Sequence, residues 1–279
     1  MASTNQGDYH SGAVATGAKR TVRFRIKRCD GPGKPTRWES FDVTVATGEG
    51  ANVQACLQRI AANPVTADGK QTTPVVWDAG CLEEICGACT MVINGRVRQA
   101  CTCLIDSYAP NNGDEITLEP MSKFPIVRDL WVDRSRMFET LKRFKTWAPI
   151  DGLYDLGAGP RETPTEQATR YVFSTCITCG CCLEACPQYH LAQDPATWEG
   201  EFVGANVIGQ TRLFNLHGTA KELASDRLDE MTGPGGVSDC GNAQNCVKVC
   251  PKEIPLTEAI AAVGRAATIH RIKKFFTGK

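Results

Sequence analysis

The sequence predicts an α+β fold in two unlike halves, and three observations carry that prediction. Up to residue 124 the apolar residues alternate in short runs around one helical stretch. From Thr165 onward the apolar spacing is mostly helical. Between them, Gly152 to Pro164 is rich in Gly and Pro and reads as a linker. A chain of 279 residues also exceeds the typical domain of about 100–150 residues, so two domains are expected.

Val22, Phe24 and Ile26 share one face of a strand from Arg20 to Ile26, and Phe41, Val43 and Val45 repeat the pattern. Gly31, Pro32, Gly33 and Pro35 supply the turn of a first hairpin. Asn52 to Asn63 is expected to be helical, with Val53, Leu57, Ile60 and Ala61 on one face and Pro64 beyond its end. Met91, Val92 and Ile93 lead into Asn94-Gly95, a strong hairpin signal, and Ile116 and Leu118 mark a last strand. Val127 to Trp147 has helical spacing at Leu130, Met137, Leu141 and Phe144. Further helices are expected over Thr165–Thr175, Cys179–Tyr189, Val207–Asp229 and Thr257–Phe275. The domains are thus expected at residues 20–124 and 125–279, behind a disordered leader at residues 1–19.

Lys plus Arg and Asp plus Glu both number 31, so the chain lacks the basic excess of a nucleic-acid binder. No apolar run approaches the ~20 residues of a membrane span. The leader lacks the basic-then-apolar order of a secretory signal, which places the chain in the cytoplasm. There, thiols stay reduced, so fifteen cysteines point to metal ligation rather than disulfides. His10, His190, His217 and His270 are scattered, and no catalytic residue is expected in this chain.

Cys81, Cys86 and Cys89 form C-x4-C-x2-C, and Cys101 follows after eleven residues. That is the plant-type ferredoxin spacing for a [2Fe–2S] cluster. One loop supplies three thiolates, and the Asn94-Gly95 turn returns the chain with the fourth. Strand alternation would put Cys103 on the same face as Cys101, so Cys103 is a rival fourth ligand.

Cys176, Cys179, Cys182 and Cys186, followed by Pro187, form the bacterial C-x2-C-x2-C-x3-C-P run, whose fourth Cys ligates the other cluster. Cys240, Cys246, Cys250 and Pro251 repeat it, with Ala243 where the second Cys would stand. Exchange of the last cysteines gives Cys176, Cys179, Cys182 and Cys250 for a [4Fe–4S] cluster. It leaves Cys186, Cys240 and Cys246 for the other. A methyl group cannot bind iron, so a [3Fe–4S] cluster fits best, with a [4Fe–4S] cluster on a non-protein fourth ligand as the alternative. Zinc favours paired C-x2-C knuckles and is the competing metal. Cys29 and Cys56 are lone and read as small buried residues, and Cys181 falls between two ligands, breaks the x2 spacing and stays outside the ligand sets.

One plant-type motif, a helical stretch and two bacterial runs in this order resemble the iron–sulfur subunit of succinate dehydrogenase and fumarate reductase. The resemblance spans Val22 to Phe276 and includes Pro125-Ile-Val-Arg-Asp129-Leu and Val132-Asp-Arg134. Trp77-Asp78, Cys81-Leu-Glu-Glu84, Ser135-Arg-Met-Phe138 and Asp239-Cys-Gly-Asn242 make it most similar to the Gram-positive, menaquinone-reducing type. The resemblance implies a β-grasp-like, plant-type ferredoxin domain and an all-α, bacterial-ferredoxin-like domain. It also implies a subunit of a succinate:quinone oxidoreductase. Electrons would pass singly from an FAD-containing flavoprotein subunit, through the three clusters, to quinone at a membrane cytochrome b anchor carrying haem b. The complex would sit on the cytoplasmic face of the cell membrane. Ubiquinone-type members carry a His after the first Cys of the last run and a Trp shortly after the first Cys-Pro. Here Gly241 and Leu191 stand there, which favours menaquinone. Reverse flow, as in a fumarate reductase, and a stand-alone ferredoxin-like carrier are the alternatives. Basic and apolar residues interleave from Arg265 to Lys279, a pattern that reads as a solvated helix end or, alternatively, as a contact with the membrane subunit or anionic lipid.

Overall fold

The computed structural model describes residues 17–149, 159–192, 198 and 200–278. The expected leader and much of the expected linker lie outside the described residues, although Lys19 itself opens the first strand. The chain separates into two compact units between Asp133 and Arg134.

In the first unit, β1 (Lys19–Cys29) and β2 (Thr36–Ala46) form a long antiparallel hairpin from Lys19↔Ala46 to Cys29↔Thr36. Strict alternation turns Arg20, Val22, Phe24, Ile26 and Arg28 inward. Helix α1 (Val53–Ala62) is capped by Asn52, whose side chain accepts the Ala55 N–H at 2.8 Å. It buries Val53, Cys56, Leu57 and Ile60. Strands β3 (Thr90–Ile93) and β4 (Arg96–Gln99) meet at Asn94-Gly95, both at positive φ, as a type I′ turn requires. A one-turn helix α2 (Ile105–Tyr108) follows. Strand β5 (Glu115–Glu119) then inserts parallel to β1 and antiparallel to β3, giving the order β2-β1-β5-β3-β4.

The expected helix from Val127 to Trp147 is corrected. Ile126–Arg128 (β6) and Trp131–Val132 (β7) form a small hairpin, and only Ser135–Arg143 is helical (α3). The cause is Asp129, at φ +48° and fully buried. Its carboxylate accepts Arg28 Nε at 2.8 Å, Arg28 Nη2 at 3.1 Å and the Cys29 and Val76 N–H groups. A residue held by four donors in a left-handed turn cannot continue a helix.

Among the described residues the second unit is all helical. Helix α4 (Pro164–Ser174) opens with a capping box between Thr163 and Glu166 and has Pro164 at its first position. The helix expected over Cys179–Tyr189 is only a single turn, α5 (Cys181–Glu184), begun by Gly180 at φ +86° and closed before Pro187. The helix expected over Val207–Asp229 is also corrected. It is α6 (Gly204–Leu216), a 3₁₀ turn (Ala220–Leu223) and α7 (Ala224–Thr232). At the break, His217 Nδ1 accepts the N–H groups of Thr219 and Ala220, restarting the chain. Buried Arg227 crosses that break, donating to Asn215 Oδ1 and to the carbonyls of Ala220, Lys145 and Trp147. A short helix α8 (Asn245–Lys248) precedes α9 (Leu256–Thr277). Leu256, Ala259, Val263 and Ala267 bury the first part of α9 against the unit, while Ile272, Phe275 and Phe276 near its end are exposed.

Candidate metal centres

The loop from Cys81 to Cys89 turns its amides inward because Leu82, Glu84 and Gly87 take positive φ. The Cys81 sulfur accepts N–H groups from Glu83, Ile85 and Cys86 at 3.2–3.4 Å. The Cys86 sulfur accepts those of Cys81 at 3.4 Å and Ala88 at 3.5 Å. These donors pull the Cys81 thiol down to about 6, favouring thiolate on an exposed loop. Gly80 is required at the loop's start, since a Cβ there would lie 2.9 Å from the Cys86 sulfur. Glu84 ties the loop to Thr102, whose hydroxyl donates to it at 2.8 Å.

Cys89 precedes β3 and touches Cys101, whose carbonyl accepts from Asn52 Nδ2 at 2.9 Å. Strand β4 ends at Gln99, so the alternation that would align Cys103 with Cys101 does not operate. Cys103 is buried in the unit's core, which pushes its thiol up to about 12. Cys56 is raised to about 12 by the same burial, and the Cys29 thiol donates to the Gly31 carbonyl.

In the second unit the two runs share one backbone pattern. Thr178 and Gly180 flank Cys179 at φ +51° and +86°, and Asn242 and Gln244 flank Ala243 at φ +51° and +59°. A one-turn helix follows each loop, and α5 packs on α8. Cys176, Cys179, Cys182 and Cys250 line one cavity, walled by Phe173 and Leu256. Cys181 also faces it and hydrogen-bonds Cys179, whose thiol falls to about 7 chiefly for that reason. Spacing alone had left Cys181 out, because a residue between two ligands has no period to mark it. Cys186, Cys240 and Cys246 line a second cavity, and Ala243 is part of its wall.

Burial drives the Cys176, Cys246 and Cys250 thiols upward, and Cys182 well upward, with neighbouring sulfurs adding to it. Buried thiols gathered in this way would need a cationic centre to hold them all as thiolates, so the donor sets fit iron–sulfur clusters. Among the described residues no three His, Cys, Asp or Glu side chains converge on one point that could hold a single ion. The thiols stand around cavities, whereas zinc needs four sulfurs about 2.3 Å from a common centre. Sequence reasoning missed Asn206, which enters the first cavity from α6 with its Nδ2 3.4 Å from the Cys176 sulfur.

The family described as 2Fe-2S iron-sulfur cluster binding domain matches residues 23–139, and that described as 4Fe-4S dicluster domain matches residues 172–254. A succinate dehydrogenase iron-sulfur subunit of Bacillus subtilis (strain 168) is 47% identical over 92% of this chain and 97% of its own length. A fumarate reductase iron-sulfur subunit of Mycobacterium tuberculosis is 34% identical over 70% of this chain and 74% of its own. In fold, a chain of the Mycobacterium smegmatis Sdh1 complex in the apo form superposes with a TM-score of 0.70. It is 23% identical and covers 91% of this chain and 98% of its own.

Proposed function

We propose the following division of labour from one premise: the chain belongs to the family of succinate dehydrogenase and fumarate reductase iron–sulfur subunits. Its role is electron transfer within a succinate dehydrogenase. Cys81, Cys86, Cys89 and Cys101 would hold a [2Fe–2S] cluster. Cys176, Cys179, Cys182 and Cys250 would hold a [4Fe–4S] cluster, and Cys186, Cys240 and Cys246 a [3Fe–4S] cluster. The single observation that carries this reading is the sorting of the second unit's seven ligand thiols into two cavities, four on one and three beside Ala243 on the other. When bound, such clusters supply one-electron carriers, which suits a chain linking a two-electron flavin to a quinone. The chain's own residues set the environment. Backbone amides point at the Cys81 and Cys86 sulfurs, and apolar walls exclude water from the cavity around Cys176.

The flavoprotein partner would contribute FAD and the membrane partner haem b, with menaquinone as acceptor, at the cytoplasmic face of the membrane. Among the described residues no helix is long and apolar enough to cross a membrane, so attachment would run through the anchor subunit. A groove with about 1420 Å³ of empty space supports a docking role at this end. It runs from Cys240 and Asn242 along α9 to Ile272, Phe275 and Phe276. The fumarate reductase relatives favour reverse flow as the second reading, which assays of the complex in both directions separate. Low-temperature EPR of the purified complex tests the main one. Three distinct signals are expected, one of them a trinuclear signal in the oxidised state. Zinc in the metal analysis, or a chain that purifies without a flavoprotein and reduces soluble partners, would overturn it.

A further inference from the structure

We propose that Asn206 raises the one-electron potential of the four-iron site by donating a hydrogen bond from its side chain to the Cys176 sulfur. The inference rests on the reading that Cys176, Cys179, Cys182 and Cys250 hold a [4Fe–4S] cluster.

Asn206 lies in the first turn of α6 and is 3% exposed. Its sequence neighbours Ala205, Val207 and Ile208 are equally buried, so an apolar side chain would suit the layer. The amide nonetheless points into the cavity, with Nδ2 3.4 Å from the Cys176 sulfur. A ligating thiolate can only accept, so nitrogen rather than oxygen must face it. Oδ1 is buried and meets no donor among the described residues, so the side chain is desolvated for the sake of one bond to sulfur. Gln210, one turn further along α6, lines the same cavity, so the helix brings a second side-chain amide to this wall of the site.

Reduction adds one electron and no proton to the site, and the added charge spreads over the sulfurs. An N–H dipole aimed at a ligating sulfur stabilises that reduced form more than the oxidised one. Hydrogen bonds to sulfur are among the recognised determinants of cluster potential. Nothing at position 206 is marked by the cysteine spacing, since Asn206 stands thirty residues from Cys176 in the chain.

Asn206→Leu in the intact complex removes the amide and keeps the volume. In an EPR-monitored redox titration, the reduced-to-oxidised ratio of the four-iron signal should fall about tenfold at the wild-type midpoint. That corresponds to about 59 mV for a one-electron couple. The binuclear and trinuclear midpoints should stay in place. A four-iron signal still at half its maximum at the wild-type midpoint would overturn the proposal. Should the variant fail to assemble, pulsed EPR of the reduced wild-type complex labelled with ¹⁵N-asparagine decides. A coupling to asparagine nitrogen on the four-iron signal is expected, and its absence overturns the proposal. A wild-type complex with no four-iron signal is a different failure: it removes the ligand reading itself and this inference with it.

Discussion

At position 243 a methyl group faces the cavity lined by Cys186, Cys240 and Cys246. The backbone around it repeats that around Cys179, with left-handed residues on either side in both loops. A thiol at 243 would therefore project as the Cys179 thiol does in its own loop. Ala243→Cys is expected to convert the proposed trinuclear site to a four-iron one, read as loss of the oxidised-state EPR signal. Persistence of that signal would count against the exchange of cysteines between the two runs. In the other unit, Arg28 and Asp129 are both fully buried and joined at 2.8 Å across 101 positions of sequence. Asp129 also anchors the Val76 N–H, just ahead of the Cys81 loop. Arg28 also pairs with Glu39 at 2.6 Å, so removing the Asp129 charge leaves it partly compensated, at a cost below the about 3–5 kcal/mol of a wholly unpaired buried charge. Asp129→Asn is expected to lower the denaturant midpoint of the first unit's unfolding accordingly. Neither residue could be paired from sequence, because nothing local in either segment refers to the other.

Secondary elements were most legible where their period was long and uninterrupted. The alternation of Val22, Phe24 and Ile26 and the Asn94-Gly95 turn predict β1 and the β3–β4 hairpin, and those are where the structure has them. Legibility failed where a polar residue overrides the apolar period: Asp129 ends the helical pattern in a turn, and His217 breaks α6 from α7. Helix α9 shows another polar device. Asp229 on α7 receives His270 Nε2 at 2.9 Å and Lys274 Nζ at 2.8 Å, fastening the far part of α9. Lys274 first, then His270, holds the Asp229 carboxyl below its ordinary range. A lowered carboxylate contributes in full above its unfolded value of about 4 and ceases to contribute as pH falls through the folded one. Protection against hydrogen exchange at residues 270–277 should accordingly fall as the pH drops below about 4. Asp229→Ala should show the quickened exchange already at neutral pH.

Across the whole chain, cysteines enter the core of both units, Cys89 and Cys101 in the first and Cys246 in the second, but the first has the larger apolar core around them. The first unit has a continuous core running from Val22 to Leu130, in which Phe24, Phe41, Leu57 and Ile116 are essentially inaccessible. In the second, Cys176, Cys182, Cys246 and Cys250 are themselves part of the packing around Phe173, Ile254 and Leu256. Metal binding and folding are coupled most tightly where ligands are core. Stripping iron from the complex should therefore abolish hydrogen-exchange protection in α5, α6 and α8, while β1, β2 and β5 keep most of theirs. Equal loss in both units would contradict that ordering. Cysteine spacing and hydrophobic period are local and survive without coordinates, so the two-part α+β plan and the family were legible from the residues alone. Only the tertiary structure decided which distant groups meet: Asp129 with Arg28, Arg227 with the carbonyls of the 145–147 turn, and Asn206 with the Cys176 sulfur. Those contacts depend on burial and on chain reversals, and a buried polar group carries no periodic signature until its partner is brought beside it.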